Sequence, residues 1–334
     1  MSANLWIGLL LTLVAGLLSG NCMLPMKFAR RWPWECTWLV FSIVSLVILP
    51  WLLALTLVKD VGAVYLAMPA SAFLAPLGFG AGWGIAQILF GLSITRLGMA
   101  LGYAIIVGLG AMLGTMVPLI VNSRQVVGTA NGLLILAGIA VMILGIIVSA
   151  RAGKAREGGG EKHASGSYAA ALALAVLCGL MAPMLNYAFA FGQSIAVEAV
   201  HHGTSPESAG YAVWPIALLG GLVPNMGYSF FLLWRNGTWR QFHASWHPDA
   251  WFGCLMGIFW MGAFAIYGVS SVYLGALGTS VGWGLFQIFM IMTANLSGVL
   301  TGEWTHAPAK ARRDLWVGLG LLAVATVLMA AGNK

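Results

Sequence analysis

Long apolar runs without a single charged side chain dominate the chain. They cover 5–26, 37–58, 61–95, 97–123, 125–150, 164–197, 208–234, 250–302 and 315–333. A helix needs about 20 apolar residues to cross the hydrocarbon of a bilayer. The run 250–302 holds 53 residues, enough for two crossings with a turn near Tyr273–Gly278. Nine runs, one of them double, predict ten spanning helices. A transmembrane β-barrel would alternate polar and apolar positions in segments of about ten residues. These runs are apolar on every face, so the expected fold class is an all-α polytopic membrane protein. No positively charged stretch precedes the first run, which is therefore expected to be a mature spanning helix rather than a cleaved signal.

Lysine and arginine placement orients the spans, because cytoplasmic loops collect them. The odd-numbered loops carry Lys27, Arg30 and Arg31; Arg96; Arg151, Lys154, Arg156 and Lys162; Arg235 and Arg240; and Lys310, Arg312 and Arg313. That is 13 of the 16 basic residues, against Lys59, Arg124 and Lys334 on the other side. The split predicts cytoplasmic odd loops and both termini outside (N-out, C-out).

Composition narrows the class. Charged residues make up 7% and hydrophobic ones 60%, with a mean hydropathy of +0.91. An ordinary soluble domain is about a quarter charged, so a soluble enzyme, a disordered chain, a disulfide scaffold and a soluble nucleic-acid binder are all excluded. Cys22, Cys36, Cys178 and Cys254 show no ligand spacing and read as small apolar packers. All six histidines (His163, His201, His202, His243, His247, His306) fall in loops or at span edges, and no HExxH pattern occurs. Neither an enzyme nor a cofactor is expected. A channel would call for a charged ring or a filter-like run, and none is visible.

The only linker-like stretch near the middle runs from Arg151 to Ser167 and includes Gly158, Gly159 and Gly160. It separates a first five-helix unit (1–155) from a second (168–334) across a cytoplasmic linker (156–167). An odd number of spans per unit gives the two opposite orientations, the arithmetic of the inverted repeats common in secondary transporters. Matches between the halves keep a steady order. Met23-Leu-Pro-Met26 resembles Met181-Ala-Pro-Met184, and Pro50 aligns with Pro224. Trp83, Ala86, Gly91, Ser93, Leu97 and Gly98 recur as Trp260, Ala263, Gly268, Ser270, Leu274 and Gly275, while Met112 recurs as Met292.

Ten short helices in two halves resemble the drug/metabolite transporter superfamily. Several stretches resemble, more narrowly, the L-rhamnose–proton symporter family: Met26-Lys-Phe-Ala-Arg-Arg-Trp-Pro-Trp-Glu35, Ile48-Leu-Pro-Trp51, Phe79-Gly-Ala-Gly-Trp-Gly84, Arg96-Leu-Gly-Met99, Ser149-Ala-Arg-Ala-Gly153 and Gly302-Glu-Trp304. The resemblance implies import of a 6-deoxyhexose, L-rhamnose, together with a proton across a bacterial inner membrane. The partners it implies are the sugar, the proton and the lipid bilayer, with no nucleic acid; nothing points to an oligomeric state. The alternative within the superfamily is an exporter or exchanger of another small metabolite.

A sugar needs hydrogen-bonding groups for its hydroxyls and aromatic rings for its C–H face. Trp83 and Gln87 share one helix face at i, i+4, and Gly-Trp-Gly-x-x-Gln-Ile recurs at Gly282–Ile288 with Trp283 and Gln287. These two ledges are expected to face each other across the substrate; the plainer alternative is an interfacial tryptophan with a glutamine bonded to a neighbouring backbone. Asn21 precedes Pro25 and Asn186 follows Pro183, so each asparagine either meets the substrate at a proline bend or satisfies a carbonyl freed by the proline. Trp260 and Tyr267, two turns apart, are candidates for the same cavity or for core packing. Tyr103, Trp214, Asn225, Tyr228 and Asn295 are weaker candidates.

Proton coupling calls for a carboxylate in a partly desolvated place. No acid lies mid-span, which leaves Glu35, Glu198 and Glu303. Glu35 also suits the first turn of a helix opened by Pro33. Glu198 neighbours His201 and His202 at the outer end of span 6, and Glu303 has Arg312 or Arg313 as expected partners. Close helix contacts are suggested by the glycine pairs 16/20, 78/82, 80/84, 98/102, 110/114, 278/282 and 298/302.

Overall fold

A computed structural model describes residues 3–156, 168–244 and 248–333. The expected linker, apart from Arg156, lies outside the described residues, as do His163 and His247. Every regular element among the described residues is helical. Among the described residues, ten segments are long and apolar enough to cross a membrane: span 1 (Asn4–Phe28), span 2 (Trp34–Leu57), span 3 (Ser71–Ile94), span 4 (Leu101–Asn122), span 5 (Ala130–Arg156), span 6 (Tyr168–His201), span 7 (Pro206–Asn236), span 8 (Asp249–Tyr273), span 9 (Val281–Leu300) and span 10 (Ala309–Gly332).

Several spans are broken where the sequence removes a backbone donor. In span 2 the Leu49 N–H reaches back to the Val44 carbonyl through a π turn at Val44–Ile48, next to Pro50, which has no N–H to give. Span 1 passes from an α-helix ending at Asn21 into a 3-10 turn, Leu24–Phe28, opened by Pro25. Span 6 comes in three pieces, Tyr168–Met181, Met184–Phe191 and Gln193–His201, divided at Pro183 and Gly192. The run 61–95 is longer than one crossing because it holds two elements. A short helix, Val61–Ala67, stops at Met68, whose extended backbone (ψ 141°) suits the residue before Pro69. Span 3 begins only after that break. The turn between spans 8 and 9 is a 3-10 turn at Gly275–Leu277, with Gly275 at φ +72°.

Span 5 lies against span 10 along its length, span 3 against span 7, span 1 against spans 8 and 9, and span 6 against spans 3 and 4; span 2 packs on spans 7 and 8. Glycine permits the tightest approaches. A Cβ on Gly84 would stand 2.7 Å from the Gly221 carbonyl oxygen, and one on Gly20 2.6 Å from that of Met290. The pairs 16/20 and 80/84 therefore sit at helix contacts. Gly78 faces open space, and Gly98 and Gly302 instead terminate helices at φ +84° and +82°.

The larger core joins spans 1, 2, 3, 6, 7, 8 and 9 around buried aromatic rings, and a second fills the space among spans 4, 5, 9 and 10. Exposed Trp6, Leu55, Val223 and Leu300 form part of the lipid-facing exterior. At one end of the bundle, buried Asp249 accepts from the backbone N–H groups of Arg31 and Trp32, each at 2.7 Å. This carboxylate fastens the loop between spans 1 and 2 to the start of span 8.

Candidate functional site

The centre of the bundle is a connected group of aromatic rings. The Trp83 indole stacks on Trp260 at 5.3 Å with 29° between planes. Trp260 lies 4.5 Å from Phe264, and Phe264 lies 6.4 Å from Trp283 and 5.5 Å from Phe286. Tyr267 meets Trp283 at 5.8 Å and Phe286 at 5.3 Å. The chain of rings thus runs from span 3 through span 8 to span 9. Offset and edge-on arrangements of this kind are favoured by the ring quadrupoles. The two expected ledges, Trp83 and Trp283, are brought to the same cluster and linked through Trp260 and Phe264.

Local spacing explains the convergence. Trp260, Phe264 and Tyr267 occupy one face of span 8 at i, i+4 and i+7, and Trp283, Phe286 and Gln287 share a face of span 9. Phe264 and Phe286 were not singled out in the sequence, although their positions one turn from Trp260 and Trp283 carry the signal. Phe189 also belongs here, stacked on Trp214 at 4.6 Å and 7°.

Polar groups enter this apolar centre in two ways. Asn186 is fully buried, and its amide is completely used. Its Nδ2 donates to the carbonyls of Gly114 (2.9 Å) and Thr279 (2.8 Å), while its Oδ1 accepts from the Tyr267 hydroxyl (2.7 Å). Trp283 Nε1 donates to the Gly110 carbonyl at 3.3 Å. Gln287, buried, and Gln87, half-buried, form no hydrogen bond among the described residues. Neither amide is among the fully enclosed polar atoms that lack a partner, so each stays accessible to a ligand hydroxyl. Trp214 Nε1 is a further buried donor without a partner.

Asn21 stands apart from the cluster. Its Nδ2 donates to the Leu17 carbonyl at 3.0 Å and its Oδ1 accepts from Ser297 Oγ at 2.6 Å, tying span 1 to span 9.

The three acids occupy different settings. Glu35, buried at the start of span 2, accepts at one oxygen from Asn236 Nδ2 and Thr238 Oγ1, both at 2.9 Å, and so holds the end of span 7. Glu198 lies 3.2 Å from His201 and 3.3 Å from His202. Glu303 pairs with Lys27 and, at 2.8 Å, with Arg156, whose guanidinium also lies 5.0 Å over the Trp304 ring. The expected partners Arg312 and Arg313 are replaced by these two. Arg313 is largely exposed and lies 3.6 Å from its neighbour Asp314. The Lys27 hydrogen bond, with further help from its charge and from Arg156, holds the Glu303 carboxyl below the usual glutamate value despite partial burial. This trio joins the ends of spans 1, 5 and 9.

Ten candidate spans around a buried aromatic centre define a multi-pass membrane protein. Residues 1–333 match the L-rhamnose-proton symport protein family, and the chain belongs to that family, which is one of bacterial inner-membrane transporters. Among curated relatives, the L-rhamnose-proton symporter of Cronobacter sakazakii is 28% identical, the match covering 99% of each chain. That of Klebsiella pneumoniae is 28% identical over 92% of each, and that of Escherichia coli 26% identical over 99% of each. A protein crystal structure at 16% identity superposes with a TM-score of 0.56, covering 96% of both chains, and shares the fold.

Proposed function

We propose that this protein imports L-rhamnose with protons across the inner membrane by alternating access. The observation that carries the site is the pair of glutamines, Gln87 and Gln287, without protein partners and one helical turn along from Trp83 and Trp283, whose rings belong to one aromatic cluster. Tryptophan faces suit the C–H surface and 6-methyl group of a deoxyhexose, and the amides suit its hydroxyls. Trp283, Tyr267 and Asn186 shape the far wall, and Asn21 sets the contact between spans 1 and 9. Trp83, Trp260 and Trp283 are buried, so a sugar reaches them only when the surrounding spans separate.

Two five-helix halves of opposite orientation, 1–155 and 168–334 flanking the linker 156–167, would supply that movement. The packing supports this reading: adding five to each span number turns the pairing 3–7 into 8–2, 1–8 into 6–3 and 1–9 into 6–4, all of which occur. The same arrangement supports membership of the drug/metabolite transporter superfamily. The basic-residue bias supports N-out and C-out termini, with the Glu303 trio on the cytoplasmic side.

Glu35 is the coupling carboxylate best served by its surroundings. Glu303 is held ionised by two cations, and Glu198 sits beside two imidazoles at the opposite end. Glu35 is buried with only neutral donors. Those donors favour the ionised form while the end of span 7 is docked; withdrawing it leaves a desolvated carboxylate that takes up a proton. Uptake into proteoliposomes tests the whole reading. L-Rhamnose should accumulate under an inward proton gradient. Uptake indifferent to the gradient removes symport, and absence of transport for every 6-deoxyhexose removes the sugar.

A further inference from the structure

Spans 4 and 5 leave an open groove of about 530 Å3 on the outside of the bundle, away from the aromatic centre. Its walls are apolar, Leu101, Ile105 and Met112 from span 4 and Ile143 and Ile147 from span 5, and its rim carries Arg151 and Lys154. The floor is opened by Gly108, where an added Cβ would meet nothing within 4 Å. Ile143, Ile147, Arg151 and Lys154 fall at i, i+4, i+8 and i+11, a single face of span 5. Arg151 and Lys154 are exposed. By contrast Arg156, on the next turn, is turned inward to Glu303 and Trp304.

Length and charge together identify an occupant. From Lys154 to Ile143 is eleven residues, about 17 Å of helix. That is close to half of the roughly 30 Å hydrocarbon core, the depth of one leaflet. The two cations stand at the end of the groove where the headgroups of that leaflet lie. Basic pockets between spanning helices recognise anionic phospholipid headgroups in this way. A soluble anion would use the charges and leave the apolar walls unfilled, and a zwitterionic lipid would fill the walls with little use of the charges. We propose that the groove between spans 4 and 5 binds an anionic glycerophospholipid, one acyl chain lying along Gly108 and the phosphate between Arg151 and Lys154.

Thermal unfolding and native mass spectrometry of the delipidated, detergent-solubilised protein test this without reference to transport. Phosphatidylglycerol should raise the midpoint and remain bound, whereas phosphatidylcholine and glycerol 3-phosphate should do neither. The double variant Arg151→Gln/Lys154→Gln should weaken phosphatidylglycerol binding about 30-fold, at about 1 kcal/mol for each cation. Gly108→Leu keeps both charges and fills the floor; it should lose lipid retention while its unliganded midpoint stays near wild type. Equal stabilisation by phosphatidylcholine, or by glycerol 3-phosphate alone, overturns the proposal. So does wild-type phosphatidylglycerol binding in Gly108→Leu, which decides the matter even if the double variant fails to fold.

Discussion

Trp83 of span 3 and Trp260 of span 8 stack with their ring centres 5.3 Å apart, and both are buried. The same two residues occupy corresponding places in the sequence matches between the halves. In the proposed arrangement of two opposed halves, this stack would place an aromatic surface where the halves meet.

Replacing Trp260 by Phe keeps a ring against Phe264 and shortens the surface offered to a sugar. L-Rhamnose affinity should fall about tenfold, in line with about 1.4 kcal/mol for a lost aromatic contact. Titration calorimetry on purified protein checks this, and unchanged affinity would take the stack out of the binding site.

Gln287→Leu separates stability from binding. The glutamine makes no hydrogen bond to the protein that a leucine would lose, so an apolar side chain of similar size should leave the unfolding midpoint level or raise it. Sugar binding should fall at least tenfold, and Gln87→Leu should show the same loss. A variant that loses stability and keeps affinity would mark Gln287 as a structural residue.

Glu35→Gln retains an acceptor for Asn236 and Thr238 and removes the titration. Accumulation driven by a proton gradient should cease, while exchange of labelled sugar between two sugar-filled sides continues. Wild-type gradient-driven accumulation in this variant would exclude Glu35 from coupling.

The Glu303 trio predicts a direction of pH dependence. Its folded carboxyl lies below the unfolded value. The ionised form therefore contributes stability that is complete above about pH 4.3 and is lost as pH falls through the lower folded value. Because Glu303 is about a third exposed, each pair should contribute only about 0.2–1 kcal/mol. Unfolding midpoints of wild type and Glu303→Gln should differ at neutral pH and converge in acid. A constant difference down to strong acid would assign the effect to packing instead.

Asp249→Ala leaves the N–H groups of Arg31 and Trp32 without their acceptor, at about 1–3 kcal/mol for the buried Trp32 group. Asp249→Asn keeps an acceptor and should cost less. Denaturant midpoints of the two variants give the order, and equal midpoints would show that the loop is held by other contacts.

The spans were legible because a bilayer imposes a length and an apolar composition that leave a plain trace in sequence. The meeting of Trp83 and Trp283 in one aromatic cluster was partly legible, because helical spacing puts Trp260 with Phe264 and Trp283 with Phe286 on one face. Contacts between distant segments left no such trace. Lys27 lies 276 residues from Glu303, and the nearer arginines at 312 and 313 were the natural guess; only the packing of spans 1, 5 and 9 brings the actual partners together. Asn186 was visible beside Pro183, yet its three partners come from spans 4 and 8 and the turn before span 9. The interruption of the run 61–95 could have been read from Pro69 and the restriction that it places on Met68.

The Asn186 amide has a kinetic consequence. Its three hydrogen bonds share one side chain, so drawing spans 4 and 8 together away from span 6 breaks two of them at once. Each is worth about 0.5–1.5 kcal/mol net, and losing two together would slow an opening step by about five- to 150-fold. That single side chain would act as an escapement, holding the empty carrier still until a bound sugar supplies replacement partners.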